Sequence, residues 1–60
     1  MTLELTDKDL EVLRDLIDRR LPELRVEIHR TDSPYYREEL EKDYDVLTAL
    51  QNRVLAVVPR

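Results

Sequence analysis

The segment from Arg30 to Pro34 is the strongest interruption in a sequence that otherwise favours helix, and it divides the chain nearly in half. The chain contains no glycine, so glycine-rich phosphate loops and tight turns between strands lack the residue that they require. A connection this short makes two successive helices antiparallel neighbours. We therefore predict an all-α fold, with residues 1–60 forming one domain that is an antiparallel two-helix hairpin.

The first helix is predicted over about residues 7–30. Thr6 suits the N-cap position, and Asp9 lies three residues later, where it can complete a capping box. The apolar residues that follow recur at helical spacing, namely Leu10, Leu13, Ile17, Leu21, Leu24 and Ile28. Pro22 permits two interpretations, a continuous helix with a kink or two helices separated there. The apolar spacing keeps its phase across Pro22, which favours the kink.

The second helix is predicted over about residues 34–58, after a turn at residues 31–33. Ser33 precedes a proline and suits an N-cap, while Pro34 suits the first helical position. Pro59 is expected to end the helix, because proline disrupts the interior of a helix.

The apolar positions of the second helix contain one acidic residue. The apolar residues are Tyr36, Leu40, Leu47, Leu50, Val54 and Val57. The position between Leu40 and Leu47 falls on Asp43, which we expect to be partly buried and paired with Arg20 or Arg25. Its other interpretation is an acid with a raised pKa, which no neighbouring residue supports.

The two apolar patterns fit one antiparallel register. Both helices rise equally per residue, so the residue numbers of two facing residues add up to the same value, the index sum, all along an antiparallel pair. The register pairs Ile28 with Tyr36, Leu24 with Leu40, Ile17 with Leu47, and Leu10 with Val54. Leu3 and Leu5 are then expected to lie beside Val57 and Val58.

Apolar residues on the flanks of both helices predict a further contact. A lone hairpin would leave exposed Leu16, Tyr35, Tyr44, Val46 and Leu55. A two-helix hairpin has no second layer to cover it, and wide apolar stripes are typical of four-helix bundles. We predict a homodimer that forms such a bundle; the alternative is a hairpin that docks on another helical protein.

Polar residues cluster around the predicted turn. In one interpretation they form a clasp, in which Arg25 or Arg37 bonds the Asp32 carboxylate or the carbonyls left open at the helix end. The absence of glycine favours the clasp, because those carbonyls need donors. The alternative is a tip that binds a partner.

Chemistry-bearing groups are sparse, and we expect no enzyme, metal or cofactor. His29 is the sole histidine, and Glu27 lies two residues from it, so the two side chains point to different faces. Tyr35 and Tyr36 suit an amphipathic contact better than ligand stacking. The acids of the second helix are interpreted as a solvated face rather than a cation site. No nucleophile–base pair or phosphate loop accompanies them.

The charge of the chain restricts its partners. Charged residues make up 40% of the sequence and its net charge is −4, which disfavours binding to nucleic acid or to an anionic membrane surface. No apolar run approaches the roughly 20 residues that span a bilayer. The chain contains no cysteine. We expect a soluble bacterial protein of the cytoplasm.

Several stretches of the sequence form a recognisable pattern. They include Leu24-Arg25, Glu27-Ile28, Thr31-Asp32 and Arg37-Glu38-Glu39-Leu40. The chain resembles, over about residues 5–50, a group of small uncharacterised bacterial proteins predicted to form helical hairpins. Pro22 departs from their pattern, in which a small polar or helix-forming residue is expected. The resemblance implies an architecture and no established activity, so it transfers no functional residues.

The sequence thus supports two hypotheses of function. The first is a small non-enzymatic structural or protein-interaction module that acts as a homodimer. The second is a regulatory adaptor or antitoxin-like subunit that binds a basic protein through its acidic or apolar helix surface.

Overall fold

The computed structural model describes residues 1–57, which form two α-helices, α1 (Asp7–Arg30) and α2 (Pro34–Leu55). The helices pack against each other, and hydrogen bonds join Asp18 to Gln51 and Arg25 to Tyr44. Since the later residue of α1 bonds the earlier residue of α2, the helices run antiparallel. The predicted helical hairpin is confirmed. Within residues 1–57, neither helix combines the length and the apolar composition that crossing a bilayer requires.

The capping residues of α1 account for where it begins. The Thr6 hydroxyl accepts from the backbone N–H of Asp9 at 3.0 Å, and the Asp9 carboxylate accepts from the backbone N–H of Thr6 at 3.0 Å. These reciprocal bonds satisfy two backbone donors that the first turn leaves open. At the other end Thr31 caps the helix with extended backbone, so the chain leaves α1 without the left-handed residue that glycine usually supplies.

Pro22 lies inside α1, and the helix continues through it. Of the two interpretations of Pro22, the one with two separate helices is therefore wrong. The free-energy cost of Pro22 is local to this turn of the helix. Proline has no backbone N–H, so the carbonyl of Asp18 lacks its helical donor.

The start of α2 follows the prediction, but its end does not. The Ser33 hydroxyl accepts from the backbone N–H of Tyr36 at 3.2 Å, and Pro34 occupies the first helical position. The helix ends at Leu55 with Ala56 as its cap, three residues before the predicted limit at residue 58. The predicted roles of Val58 and Pro59 lie outside the described residues.

The core lies in the single interface between the two helices. Its central cluster contains Ile17, Leu21 and Val54, and the half-buried residues packed against it are Leu13, Tyr44, Leu47 and Leu50. Leu24 and Leu40 are also buried, with 1% and 4% of their surface exposed. Almost all of the hydrophobic stabilisation therefore depends on one helix–helix contact.

The register of the two helices differs from the predicted one. The cross-helix hydrogen bonds join Asp18 to Gln51 and Arg25 to Tyr44, and both pairs have an index sum five higher than that of the predicted pairs. Compared with the predicted pairing, α2 is thus displaced by about one turn toward the loop. Because of this displacement Tyr36 extends past the end of α1 and is 52% exposed instead of facing Ile28.

The inward side of α2 is also rotated from the predicted one. The buried or half-buried positions along this side are Leu40, Tyr44, Leu47, Gln51 and Val54. Tyr44 replaces Asp43, which is exposed, so the expected partial burial of Asp43 is wrong. The physical reason is that a tyrosine ring gains from burial, whereas a carboxylate loses its hydration there.

The hairpin is one layer thick. Its dimensions are 40 × 23 × 14 Å, and the shortest of them is close to the diameter of one helix with its side chains. Its accessible surface is 5193 Å², whereas a compact monomer of 7.2 kDa exposes about 4,100 Å². Both flanks of the helix–helix interface are therefore open to solvent.

Candidate functional site

Each helix has two flanks that differ in chemistry. On α1, Leu16 and Asp18 lie on either side of buried Ile17, because residues two apart point in nearly opposite directions around a helix. On α2, Val46 and Thr48 lie on either side of half-buried Leu47 in the same way. One surface of the hairpin is consequently apolar and the other polar.

We call the first surface the apolar face, defined by Leu3, Leu5, Leu13, Leu16, Val46, Leu50 and Val57. It contains two adjoining recesses, one along α1 and one between α1 and α2, and both are lined by Leu3, Leu5 and Leu13. The exposed fractions of Leu3, Leu16 and Val46 are 76%, 57% and 66%. This face is continuous at the open end of the hairpin, where the lead-in segment meets the end of α2.

Toward the loop, the same flank of α1 becomes charged. Arg20 Nη1 donates to the Glu27 carboxylate at 2.9 Å and to the Glu23 carboxylate at 3.3 Å. The hydrogen bond to Glu27 raises the pKa of the Arg20 guanidinium above its ordinary value, and the bond to Glu23 adds to this. The apolar face therefore ends near the middle of α1.

The corresponding flank of α2 is charged as well. Lys42 Nζ lies 3.3 Å from a Glu39 carboxylate oxygen and 4.0 Å from one of Glu38. Asp43 is exposed, and within residues 1–57 it forms no salt bridge, so its expected pairing with Arg20 or Arg25 is wrong. Arg20 is instead paired along its own helix, where carboxylates lie one and two turns away.

The opposite surface is a polar groove, lined by Asp18, Leu21, Pro22, Arg25, Tyr44, Thr48 and Gln51. Gln51 Nε2 donates to Asp18 Oδ1 at 3.0 Å, and Arg25 Nη2 donates to the Tyr44 hydroxyl at 2.8 Å. The hydrogen bond from Arg25 to Tyr44 raises the pKa of the guanidinium. The two cross-helix bonds lie two turns apart, so they fix the register of the hairpin along this surface.

The loop is held by Arg37, one of the residues of the predicted clasp. Arg37 Nη2 donates to the carbonyl of Thr31 at 2.8 Å, which satisfies an acceptor at the end of α1. Arg25 does not contribute, because its guanidinium bonds Tyr44 in the polar groove. Asp32 is exposed, and within residues 1–57 its carboxylate accepts no hydrogen bond; the Thr31 hydroxyl accepts from the backbone N–H of Ser33 instead.

The residues predicted to contact a second chain do not share one surface. Leu16 and Val46 belong to the apolar face. Tyr35 precedes Val46 by eleven residues, which places it on the same flank of α2 but at the loop end. Tyr44 lines the polar groove, and Leu55 follows it by eleven residues on that flank. Contact of these residues with another chain stays a prediction.

Sequence reasoning missed Tyr44 and Gln51 as residues that join the helices. The signal was present in the spacing from Leu40 to Val54, where steps of four and three residues pass through Tyr44 and Gln51. A glutamine at one of these positions hid the pattern.

Within residues 1–57, no group of three or more histidine, aspartate or glutamate side chains is arranged to hold a metal ion. His29 is exposed at the end of α1. Comparisons with protein families, curated proteins and solved structures found no significant match to the chain.

Proposed function

We propose that this chain is a non-enzymatic structural or protein-interaction module that acts as a homodimer through its apolar face. The observation that carries the proposal is the set of exposed apolar residues on one side of a hairpin only one layer thick, namely Leu3, Leu5, Leu16, Val46 and Val57. A second hairpin placed on that face supplies the missing layer and makes a four-helix bundle.

The surface area of the hairpin supports self-association. The chain exposes 5193 Å², roughly 1,100 Å² more than a compact monomer of its mass. A stable interface of standard size buries about 800 Å² on each partner. The excess surface area is therefore large enough for one dimer contact. A two-fold axis would place the apolar face of one copy against the same face of the other.

Sedimentation equilibrium on the purified chain tests the proposal. We expect a dimer at micromolar concentration, converted to monomer by Leu16→Glu, because the substitution buries a charge in an apolar interface. The matched control is Val26→Glu, since Val26 is 48% exposed and lies nine residues beyond Ile17, on the outer side of α1. A folded monomer at that concentration, or equal effects of the two substitutions, would contradict the proposal.

The second hypothesis, a regulatory adaptor that binds a basic protein, has one observation in its favour. The five acids of α2 from Glu38 to Asp45 are all exposed. An adaptor of this kind predicts a poorly folded free chain that gains helix on binding its partner. Circular dichroism of the isolated chain separates the two hypotheses, because the homodimer predicts full helicity and one cooperative melting transition.

A further inference from the structure

We infer that two hairpins associate through their open halves, with their loops at opposite ends of the dimer. The inference rests on the proposed homodimer and specifies its geometry. The alternative is a side-by-side dimer, in which the two-fold axis runs parallel to the helices and both loops lie at the same end.

The uneven chemistry of the interacting surface carries the inference. Val46 lies about level with Glu23, as the cross-helix hydrogen bonds show. The other apolar residues lie toward the open end, up to Leu16 on α1 and Leu50 on α2. Beyond these residues the same flank carries charged side chains up to the loop, namely Arg20, Glu23, Glu27, Glu39, Lys42 and Asp43. Tyr35 lies past this charged band, separated from the apolar face.

A side-by-side dimer would place the charged bands of both copies in one interface. The cations in each band already contact carboxylates of their own helix, Arg20 at 2.9 Å and Lys42 at 3.3 Å. Burying those pairs would remove their hydration, and the remaining carboxylates would approach those of the other copy. Opposed open halves keep the two charged bands apart, so this arrangement does not bring the carboxylates of one copy against those of the other.

The apolar residues also pair when the open halves overlap. Consider a two-fold axis that lies between the two apolar faces and runs perpendicular to the helices. If it passes over α1 midway between Leu13 and Leu16, it sets Leu13 of one copy opposite the partner's Leu16. If such an axis passes over the end of α2 midway between Leu50 and Val57, it sets Leu50 of one copy opposite the partner's Val57. Leu13, Leu50 and Val57 line one recess, so the two crossing points lie at similar heights and one axis serves both helices.

Spin-label distances between the two loops test this geometry. The chain contains no cysteine, so Asp32→Cys gives one label per copy. One hairpin is 40 Å long, and opposed open halves therefore predict a label separation beyond 40 Å. Side-by-side hairpins predict roughly 25 Å or less, because neighbouring helices lie about 8–10 Å apart. A short distance would overturn the inferred geometry.

A label at Lys8→Cys is the matched control, because Lys8 is exposed at the open end and is close to its copy in either dimer. Sedimentation equilibrium on the labelled chains separates the two failures. A monomer refutes the proposed homodimer and this geometry with it, whereas a dimer with a short loop distance refutes the geometry alone.

Alanine substitutions provide a second test that needs no label. Leu16→Ala is expected to raise the Kd of the dimer about tenfold or more, because each dimer loses two buried leucine side chains. Tyr35→Ala is expected to leave the Kd within about twofold, because the ring stays in water at the far end. An equal loss of affinity for both variants would contradict the inferred geometry.

Discussion

Arg25 and Tyr44 join the two helices by a hydrogen bond and by a cation–π contact. The Arg25 Nη2 lies 2.8 Å from the Tyr44 hydroxyl oxygen, and its Cζ lies 5.8 Å from the centroid of the ring. The ring also packs against the core cluster. One side chain of α2 thus contributes apolar contact, hydrogen bonding and a surface for a cation, and its position sets the rotation of the helix.

Tyr44→Phe is expected to destabilise the hairpin much less than Tyr44→Ala. The phenylalanine keeps the ring against Leu21 and its neighbours and loses the hydroxyl alone, whereas alanine removes about 2 kcal/mol of apolar burial. Chemical denaturation of both variants at one protein concentration gives the two free energies of unfolding. Combining each with Arg25→Met makes a double-mutant cycle. Additive effects in the Phe cycle would show that the hydrogen bond contributes nothing to stability.

Thr6→Ala is expected to lower the free energy of unfolding by about 1 kcal/mol, the usual effect of losing an N-cap side chain. The substitution removes the acceptor for the backbone N–H of Asp9, which lies at 3.0 Å in the capping box. Thermal melting followed by circular dichroism measures the loss. Thr2→Ala changes the same residue type in the lead-in segment and serves as the control. Equal melting temperatures for the two variants would contradict a stabilising cap at Thr6.

Pro22→Ala is expected to stabilise the hairpin by up to about 3 kcal/mol, the cost of proline in a helix interior. Alanine restores a backbone N–H opposite the carbonyl of Asp18, and α1 is already continuous there. Denaturation midpoints are compared with those of Asp15→Ala, an exposed site on the same helix. A loss of stability would mean that the proline ring contributes more to the groove than its missing donor costs.

Helix boundaries were more predictable than the contact between the helices. Thr6 and Ser33 act through hydrogen bonds to residues three positions away, and Pro34 acts through its own fixed backbone angle, so the local sequence contains the whole interaction. Register and rotation depend on packing across the interface, where several pairings satisfy the same spacing. Asp43 and Tyr44 illustrate this, because either of them fits the helical spacing of the inward positions. Which one lies inward depends on the rotation of α2 against α1.

The surfaces of the hairpin were predictable only in part. Exposed flanks followed from Leu16 and Val46, since a helical period assigns each residue to a side. The polar groove did not follow, because it requires Arg25 of one helix to reach Tyr44 of the other. That reach depends on the one-turn displacement of α2, which the sequence pattern did not contain.

Leu24→Ala is expected to destabilise the hairpin by about 2–5 kcal/mol, the range for a buried leucine. Leu24 is 1% exposed, and a domain this small has few other core residues to compensate. Val26→Ala is the matched control two residues further along α1, on the outer side, and is expected to change stability by less than about 0.5 kcal/mol. Urea denaturation followed by circular dichroism measures both. A comparable loss for the two variants would mean that the interface between α1 and α2 does not hold the fold together.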